Sequence, residues 1–376
     1  MVEPKFKTWD IETSYFNNLV VAGEFNKRVS IWNATTGERI SEIETLFDFG
    51  GRRFAISPRG DSVAAGAYDG SYLNDKKRYG GAVALYNLND GSEIWKRKDI
   101  KRIQSIKFGG STYRDRILTF FSDQACQILR VSDGATEKKI RNTEWIVESL
   151  QGDLQYIQGH YSYRVLDTAT GKKLLHRDYF CTVTPDFAAF TNEGVVTMDV
   201  REGDEIGAMR IKALLTAEEW DKAEIDHRWV PEHRYWERRH PQEAIALYLL
   251  DGMDEKWRFK MPNEEVVKWK SVPFLYRVGG FVDLGYCEKT REIVCVYRKM
   301  RPDAFVGQSL VYLDERDGRQ TREITLEKAN GQLGSHLTTR FASGDKLLVA
   351  NDGSVYDVAS GEKVRTLPFQ EIRNIP

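Results

Sequence analysis

Little in this chain favours a covalent framework, a membrane or a nucleic-acid backbone. Only four cysteines occur in 376 residues, and Cys126, Cys181, Cys287 and Cys295 stand singly inside apolar, strand-like runs. Their spacing matches neither a disulfide framework nor a zinc site, so they are expected to be reduced core thiols of a cytoplasmic protein. No run approaches the roughly 18 apolar residues of a membrane span, and the first ten residues hold no apolar segment of signal-peptide length. Charge of one sign is also lacking. Lys plus Arg number 55 against 56 Asp plus Glu, a formal net charge of -1. A nucleic-acid binder usually carries a basic surplus, because phosphate contacts dominate its affinity. Neither nucleic acid nor membrane is therefore expected as a partner.

Catalytic templates are missing as well. No Gly-x-Ser-x-Gly elbow, His-Glu-x-x-His pair, Gly-x-x-x-x-Gly-Lys loop or Gly-x-Gly-x-x-Gly turn occurs. His227, His233 and His240 cluster in sequence, but their spacing is loose for metal ligation and Pro231 interrupts any helix between them. No catalytic residue, metal or cofactor is assigned.

What the chain does contain is a repeat. An alternating apolar strand, a polar or acidic residue, a few variable residues, Gly and a second short strand recur seven times. Examples are VSIWNATTGERI ending at Ile40, VALYNLNDGSEIW ending at Trp95 and SVYDVASGEKV near the end. The turn glycines are Gly37, Gly91, Gly134, Gly171, Gly252, Gly318 and Gly361. Alternation at period two with Val, Ile, Tyr and Trp suits a pleated, half-buried strand, and Asn or Asp before Gly closes a tight hairpin. Two further strand-like runs precede most matches, such as RRFAIS and SVAAGA before the second. Four strands in about 40 residues is the signature of a propeller blade.

The repeats resemble those of the WD40-like and quinoprotein-like β-propeller superfamilies. GGAVALYNLNDGSEIWKRK (Gly80 to Lys98) is similar to the quinoprotein repeat, whose Gly-x-x-x-Trp follows the turn and docks its Trp on the next blade, and Gly252 to Trp257 is a looser copy. FAISPRGDSVAAGA is similar to the Ser-Pro-Asp-Gly turn of WD40 blades. No repeat ends in Trp-Asp, and no Gly-His start is present. The resemblance implies an all-β chain, one seven-bladed propeller of four-stranded antiparallel blades over residues 1–376. Eight blades is the alternative, if DVREGDEI (Asp199 to Ile206) forms a further outer hairpin.

Function is expected in the loops between the second and third strands of a blade. Three are enlarged: Tyr68 to Gly81, Lys299 to Gln308, and an insertion at about 201–242. Loops of such length in a compact domain usually serve a function. Within the insertion, Thr216-Ala-Glu-Glu219 forms a capping box, which predicts a short amphipathic helix with Trp220 and Ile225. The stretch beyond it is rich in Trp, Tyr and Arg, the residue types enriched at binding hot spots. The candidate contact residues are Tyr68, Tyr72, Lys76, Lys77, Tyr79, Trp229, Arg234, Tyr235, Trp236, Arg238 and Phe305. The expected role is that of a non-enzymatic scaffold binding a protein partner, with neutralisation of a toxin, as an immunity protein, its most specific form. A propeller hydrolase or lyase with a site at the central channel, and a small-ligand or carbohydrate binder, are the alternatives.

Overall fold

Among the described residues, seven stretches of chain each fold back and forth into a four-stranded antiparallel sheet. In the computed structural model, the described residues are 8–14, 17–24, 28–44, 54–68, 80–101, 103–109, 116–121, 125–143, 145–149, 153–159, 162–178, 188–199, 208–212, 235–239, 244–260, 264–269, 272–277, 279–301, 304–326, 339–342 and 344–369.

The first sheet comprises β1 (Thr8–Thr13), β2 (Leu19–Glu24), β3 (Arg28–Asn33) and β4 (Arg39–Glu44), paired in that order. The second comprises β5 (Phe54–Ile56), β6 (Ser62–Tyr68), β7 (Gly80–Asn87) and β8 (Glu93–Lys101). The third is β9 (Ile103–Phe108), β10 (Arg116–Phe121), β11 (Ala125–Arg130) and β12 (Thr136–Arg141). The fourth is β13 (Trp145–Glu148), β14 (Leu154–Gln158), β15 (Ser162–Asp167) and β16 (Lys173–Asp178). In the fifth, β17 (Ala188–Phe190) and β18 (Gly194–Asp199) are separated from β21 (Ala244–Leu249) and β22 (Glu255–Lys260) by a hairpin of β19 (Ala208–Lys212) and β20 (Tyr235–Arg239). A second extra hairpin, β23 (Glu264–Trp269) and β24 (Val272–Arg277), precedes the sixth sheet. That sheet is β25 (Gly279–Cys287), β26 (Glu292–Arg301), β27 (Ala304–Asp314) and β28 (Gln320–Thr325). The seventh is β29 (Thr339–Ala342), β30 (Leu347–Ala350), β31 (Ser354–Asp357) and β32 (Lys363–Thr366).

The chain divides into two compact units. Met1–His176 with Leu337–Pro376 forms the first, and Arg177–His336 forms the second. In the first unit, apolar layers lie between sheets that are neighbours in sequence. Ile31, Ile43, Phe54 and Val63 join the first and second sheets, Leu85, Ile103 and Ile117 join the second and third, and Phe120, Ile128 and Trp145 join the third and fourth. The first sheet also packs on the seventh, through Ile11, Val20 and Trp32 against Val349, Val355 and Phe369. There Thr13 Oγ1 donates to Phe341 O at 2.5 Å and Arg340 pairs with Glu12 at 3.4 Å. In the second unit, Val196, Ile245, Leu247 and Trp257 pack against Leu284, Ile293, Val311 and Leu313, joining the fifth and sixth sheets.

Fourth strands are sheet edges, and their sequences are charged, as exposed edges require. The turn before each is built by local chemistry. In the first, Gly37 N donates to Asn33 O at 2.8 Å, and Asn33 Oδ1 accepts from Thr35 N and Thr36 N at 2.8 and 3.0 Å. The same five-residue loop closes at Gly91, Gly134, Gly171, Gly318 and Gly361. An Asn or Asp at the first position is therefore an acceptor for the turn, and NLNDG around Asn87 is one more such loop. The fifth sheet departs from the expected register. Leu249 N bonds Asp254 O at 2.9 Å, equivalent to Asn33 N to Glu38 O, so Met253 and not Gly252 sits at the glycine position. Both residues have positive φ, 77° at Gly252 and 55° at Met253.

The expected alternative of an eighth blade around Asp199 to Ile206 is overturned at Asp199, and residues 200–206 lie outside the described residues. Asp199 ends β18 and pairs with Ala244 of β21, which makes residues 200–243 an insertion between the second and third strands of the fifth sheet. The expected helix at 216–225 falls outside the described residues.

Candidate binding face

Antiparallel order gives every sheet two chemically different ends. The turns between first and second strands and between third and fourth lie at one end. The connection between second and third strands, the entry to the first and the exit from the fourth lie at the other.

At the turn end of the second unit a polar network ties the fifth sheet to the sixth. The Glu315 side chain is fully buried. It accepts from Tyr286 Oη at 3.0 Å, Arg291 Nε at 3.0 Å and Glu193 N at 3.2 Å. Arg291 also reaches Glu193 at 2.8 Å, Lys256 pairs with the same carboxylate, and Asn192 Nδ2 donates to Tyr286 Oη at 3.0 Å. Burial first, and then the adjacent Glu315 carboxylate, pushes the Tyr286 phenol up to about 12. The Lys256 hydrogen bond holds the Glu193 carboxyl below its ordinary value. Every carboxylate here has cationic or N–H partners, so the network is a fastening between sheets.

Trp257 completes that fastening. Its Nε1 donates to Glu315 O at 2.8 Å, and its ring covers Gly318, where a Cβ would come within 2.5 Å of it. Trp95 repeats the arrangement in the first unit, with Nε1 on Val131 O at 2.6 Å and the ring over Gly134. Arg365 stands at the matching place in the seventh sheet, four residues beyond Gly361, and lies against Gly37 of the first. Sequence reasoning found the two tryptophans and missed the arginine, because only the Gly-x-x-x spacing marks it.

The opposite end carries the elaborations. In the second unit, β18 and β21 are bridged by the β19–β20 hairpin, and the fourth strand β22 leads into β23–β24. Both hairpins leave the same end of the fifth sheet, and β19 lies beside β24. The sixth sheet lengthens its middle hairpin at that end, with β26 and β27 paired out to Arg301↔Ala304.

The candidate contact residues fall on these elements unevenly. Tyr235, Trp236 and Arg238 lie on β20, opposite Lys212, Ile211 and Met209. Phe305 lies on β27 opposite Met300, near the tip of its hairpin. Tyr68, in the first unit, ends β6 opposite Gly81. Tyr72, Lys76, Lys77, Tyr79, Trp229 and Arg234 lie outside the described residues, as do His227, His233 and His240. The β23–β24 hairpin was not anticipated: EEVVKW and VPFLYR are short and rich in Val and aromatic residues as blade strands are, and nothing local marks them as an accessory pair. Among the described residues no group of three or more His, Cys, Asp or Glu could hold a metal ion, and no helix is long and apolar enough to cross a membrane.

No protein-family model and no curated protein matches the chain. Solved structures do. The Cps50 (Swd1) β-propeller domain of Myceliophthora thermophila aligns over 95% of both chains, with a TM-score of 0.56 and 9% identity. U3-55K aligns over 92% of this chain and 88% of its own, with a TM-score of 0.55 and 10% identity. BamB of Moraxella catarrhalis aligns over 95% and 89%, with a TM-score of 0.50 and 10% identity. At such identities the likeness is one of fold, and with seven four-stranded sheets among the described residues the fold is the seven-bladed β-propeller that the repeats resemble.

Proposed function

We propose that this propeller is a non-enzymatic scaffold that binds a protein partner through the elongated connections at one end of its sheets. The observation that carries the reading is the pair of hairpins, β19–β20 and β23–β24, added side by side to one end of the fifth sheet. Neither is needed to complete a blade, and added structure at the loop end of a rigid frame is where binding is commonly placed. Tyr235, Trp236 and Arg238 on β20 are of the types that anchor interfaces. In its most specific form the partner is a toxin neutralised by steric cover. That form draws support from the lack of catalytic motifs in the sequence. A cytoplasmic setting is proposed from Cys126, Cys287 and Cys295, which are buried and free.

The test is retention of a partner from native lysate by the intact chain and by a variant in which a short Gly/Ser linker replaces Arg201 to Gln242. Asp199 already pairs with Ala244, so the linker closes an existing hairpin. One stoichiometric protein held by the intact chain alone supports the reading. Equal retention by a folded deletion variant refutes it and shifts attention to a channel site for an enzyme or small-ligand binder.

A further inference from the structure

The outer strand of the third sheet differs from those of the first and sixth in how its charges are used. In the first sheet, Arg28 and Arg39 both pair with Glu42. In the sixth, Arg322 pairs with Glu292 at 3.0 Å and lies over the Tyr312 ring at 3.8 Å. On β12 the only carboxylate, Glu137, is held by Arg116, with Nη2 to Oε1 at 2.9 Å. Lys138, Lys139 and Arg141 are exposed, and among the described residues none has a counter-ion. Lys98 on β8 of the second sheet is exposed and unpaired in the same way. Arg97 ties that strand to the start of β12, through Gly134 O at 2.8 Å and Thr136 Oγ1 at 2.9 Å.

β12 is also the free edge of its sheet, whose order is β12-β11-β10-β9. One row of its backbone N–H and C=O groups therefore faces away from the sheet, as a template for another strand. Charge on an edge strand normally prevents pairing by repelling a like neighbour. Unneutralised charge of a single sign repels a basic strand and attracts an acidic one.

We propose that β12 is a docking edge for an extended, acidic segment of a protein partner, which adds as a fifth strand to the third sheet. Main-chain hydrogen bonds supply the register, and Lys138, Lys139 and Arg141 supply the selection for carboxylates. A nucleic acid fits the surface less well. The large hydrophobic residues exposed among the described residues are the aliphatic Ile40, Ile94, Leu250 and Val364, so no aromatic platform is offered for base stacking. A phosphate backbone also cannot complement a row of peptide groups. The edge lies in the first unit and shares no residue with the hairpins of the fifth sheet.

The test measures binding of a labelled dodecapeptide of alternating Glu and Thr to the intact chain by fluorescence anisotropy. Saturable binding is expected, weakening as salt rises because exposed charges are screened. K138E/K139E/R141E should lower affinity at least tenfold, and K138Q/K139Q/R141Q, the milder substitution, at least threefold, with thermal melts confirming the fold of each. N-methylation of alternate peptide residues should abolish binding. No saturable binding by the intact chain, equal affinity in a folded variant, equal affinity for the N-methylated peptide, or tighter binding of a twelve-residue oligouridylate would each overturn the proposal.

Discussion

Arg365 of the seventh sheet lies against Gly37 of the first, in the place where Trp95 lies over Gly134 and Trp257 over Gly318. One device, a large side chain four residues after the turn residue, thus joins three pairs of sheets: the seventh to the first, the second to the third and the fifth to the sixth. A Cβ at Gly134 would come within 2.7 Å of the Trp95 ring, and the backbone there has a φ of 70°. G134A should lower stability by about 2–3 kcal/mol, combining backbone strain with overpacking. Urea unfolding followed by Trp fluorescence measures it, and a change below about 0.5 kcal/mol would refute the docking account.

Arg365 is an imperfect substitute for tryptophan, since its buried Nε has no hydrogen-bond partner among the described residues. R365W should therefore raise the urea midpoint, by the equivalent of about 1 kcal/mol for relief of an unsatisfied buried donor. A lower midpoint would mean that the Arg365 stem packs better than an indole there.

Met253 occupies the left-handed turn position that glycine fills in six other loops, and its side chain is buried at 4% exposure. M253G relieves about 1 kcal/mol of backbone strain and forfeits about 2–3 kcal/mol of side-chain burial. The expected result is a net loss of about 1–2 kcal/mol. A gain in stability would show that the thioether contributes little and that the strain dominates.

The buried Glu315 carboxylate accepts from Tyr286, Arg291 and Glu193 N, and its removal leaves Arg291 with Glu193 as its remaining ion partner. E315A should cost about 1–3 kcal/mol, the loss when buried donors are left without their acceptor, because the Arg291 side chain is half exposed. E315Q keeps the side-chain shape and one of the two acceptor oxygens, and should cost less than E315A. Equal losses for the two would indicate that the hydrogen-bonded charge, not the side-chain volume, matters at this position.

Asp314 sets a pH dependence. The side-chain hydrogen bond from Arg316, then the Arg316 backbone N–H, hold its carboxyl down at about 2. A depressed folded-state value means stability that is fully present above the ordinary value of 3.8 and is lost as pH falls toward about 2. D314N keeps an oxygen acceptor for the turn and removes the titration. Its melting temperature should fall less steeply than that of the unmodified chain between those pH values, and parallel curves would contradict the assignment.

The elements of the blades are legible in the sequence because their causes are local. Short apolar runs such as SVAAGA or RILTFF, and an Asn or Asp that accepts from its own turn, act within a few residues. The same logic marks the Trp95 repeat, since its spacing from Gly91 is carried along one strand. The candidate site is less legible. Tyr235, Trp236 and Phe305 stand out by composition, yet the pairing of Trp236 with Ile211 spans an insertion whose length no local pattern sets.

By itself the sequence determined the repeat, the four-strand blades and the turn chemistry, and it placed an insertion at about 201–242, which the pairing of Asp199 with Ala244 then fixed between the second and third strands of the fifth sheet. Tertiary structure decided the rest, because its causes lie far apart along the chain. EEVVKW and VPFLYR are neighbours in sequence and pair as a hairpin, but their place beside β19, away from the blade sheets, depends on segments distant in sequence. Glu315 reads as a turn residue until Tyr286, Arg291 and Glu193 converge on it from two sheets. Lys138, Lys139 and Arg141 read as an ordinary charged edge until the structure shows that Arg116 has taken the one carboxylate beside them. Net charge is a sum over the chain, and it hides which charges have found a partner.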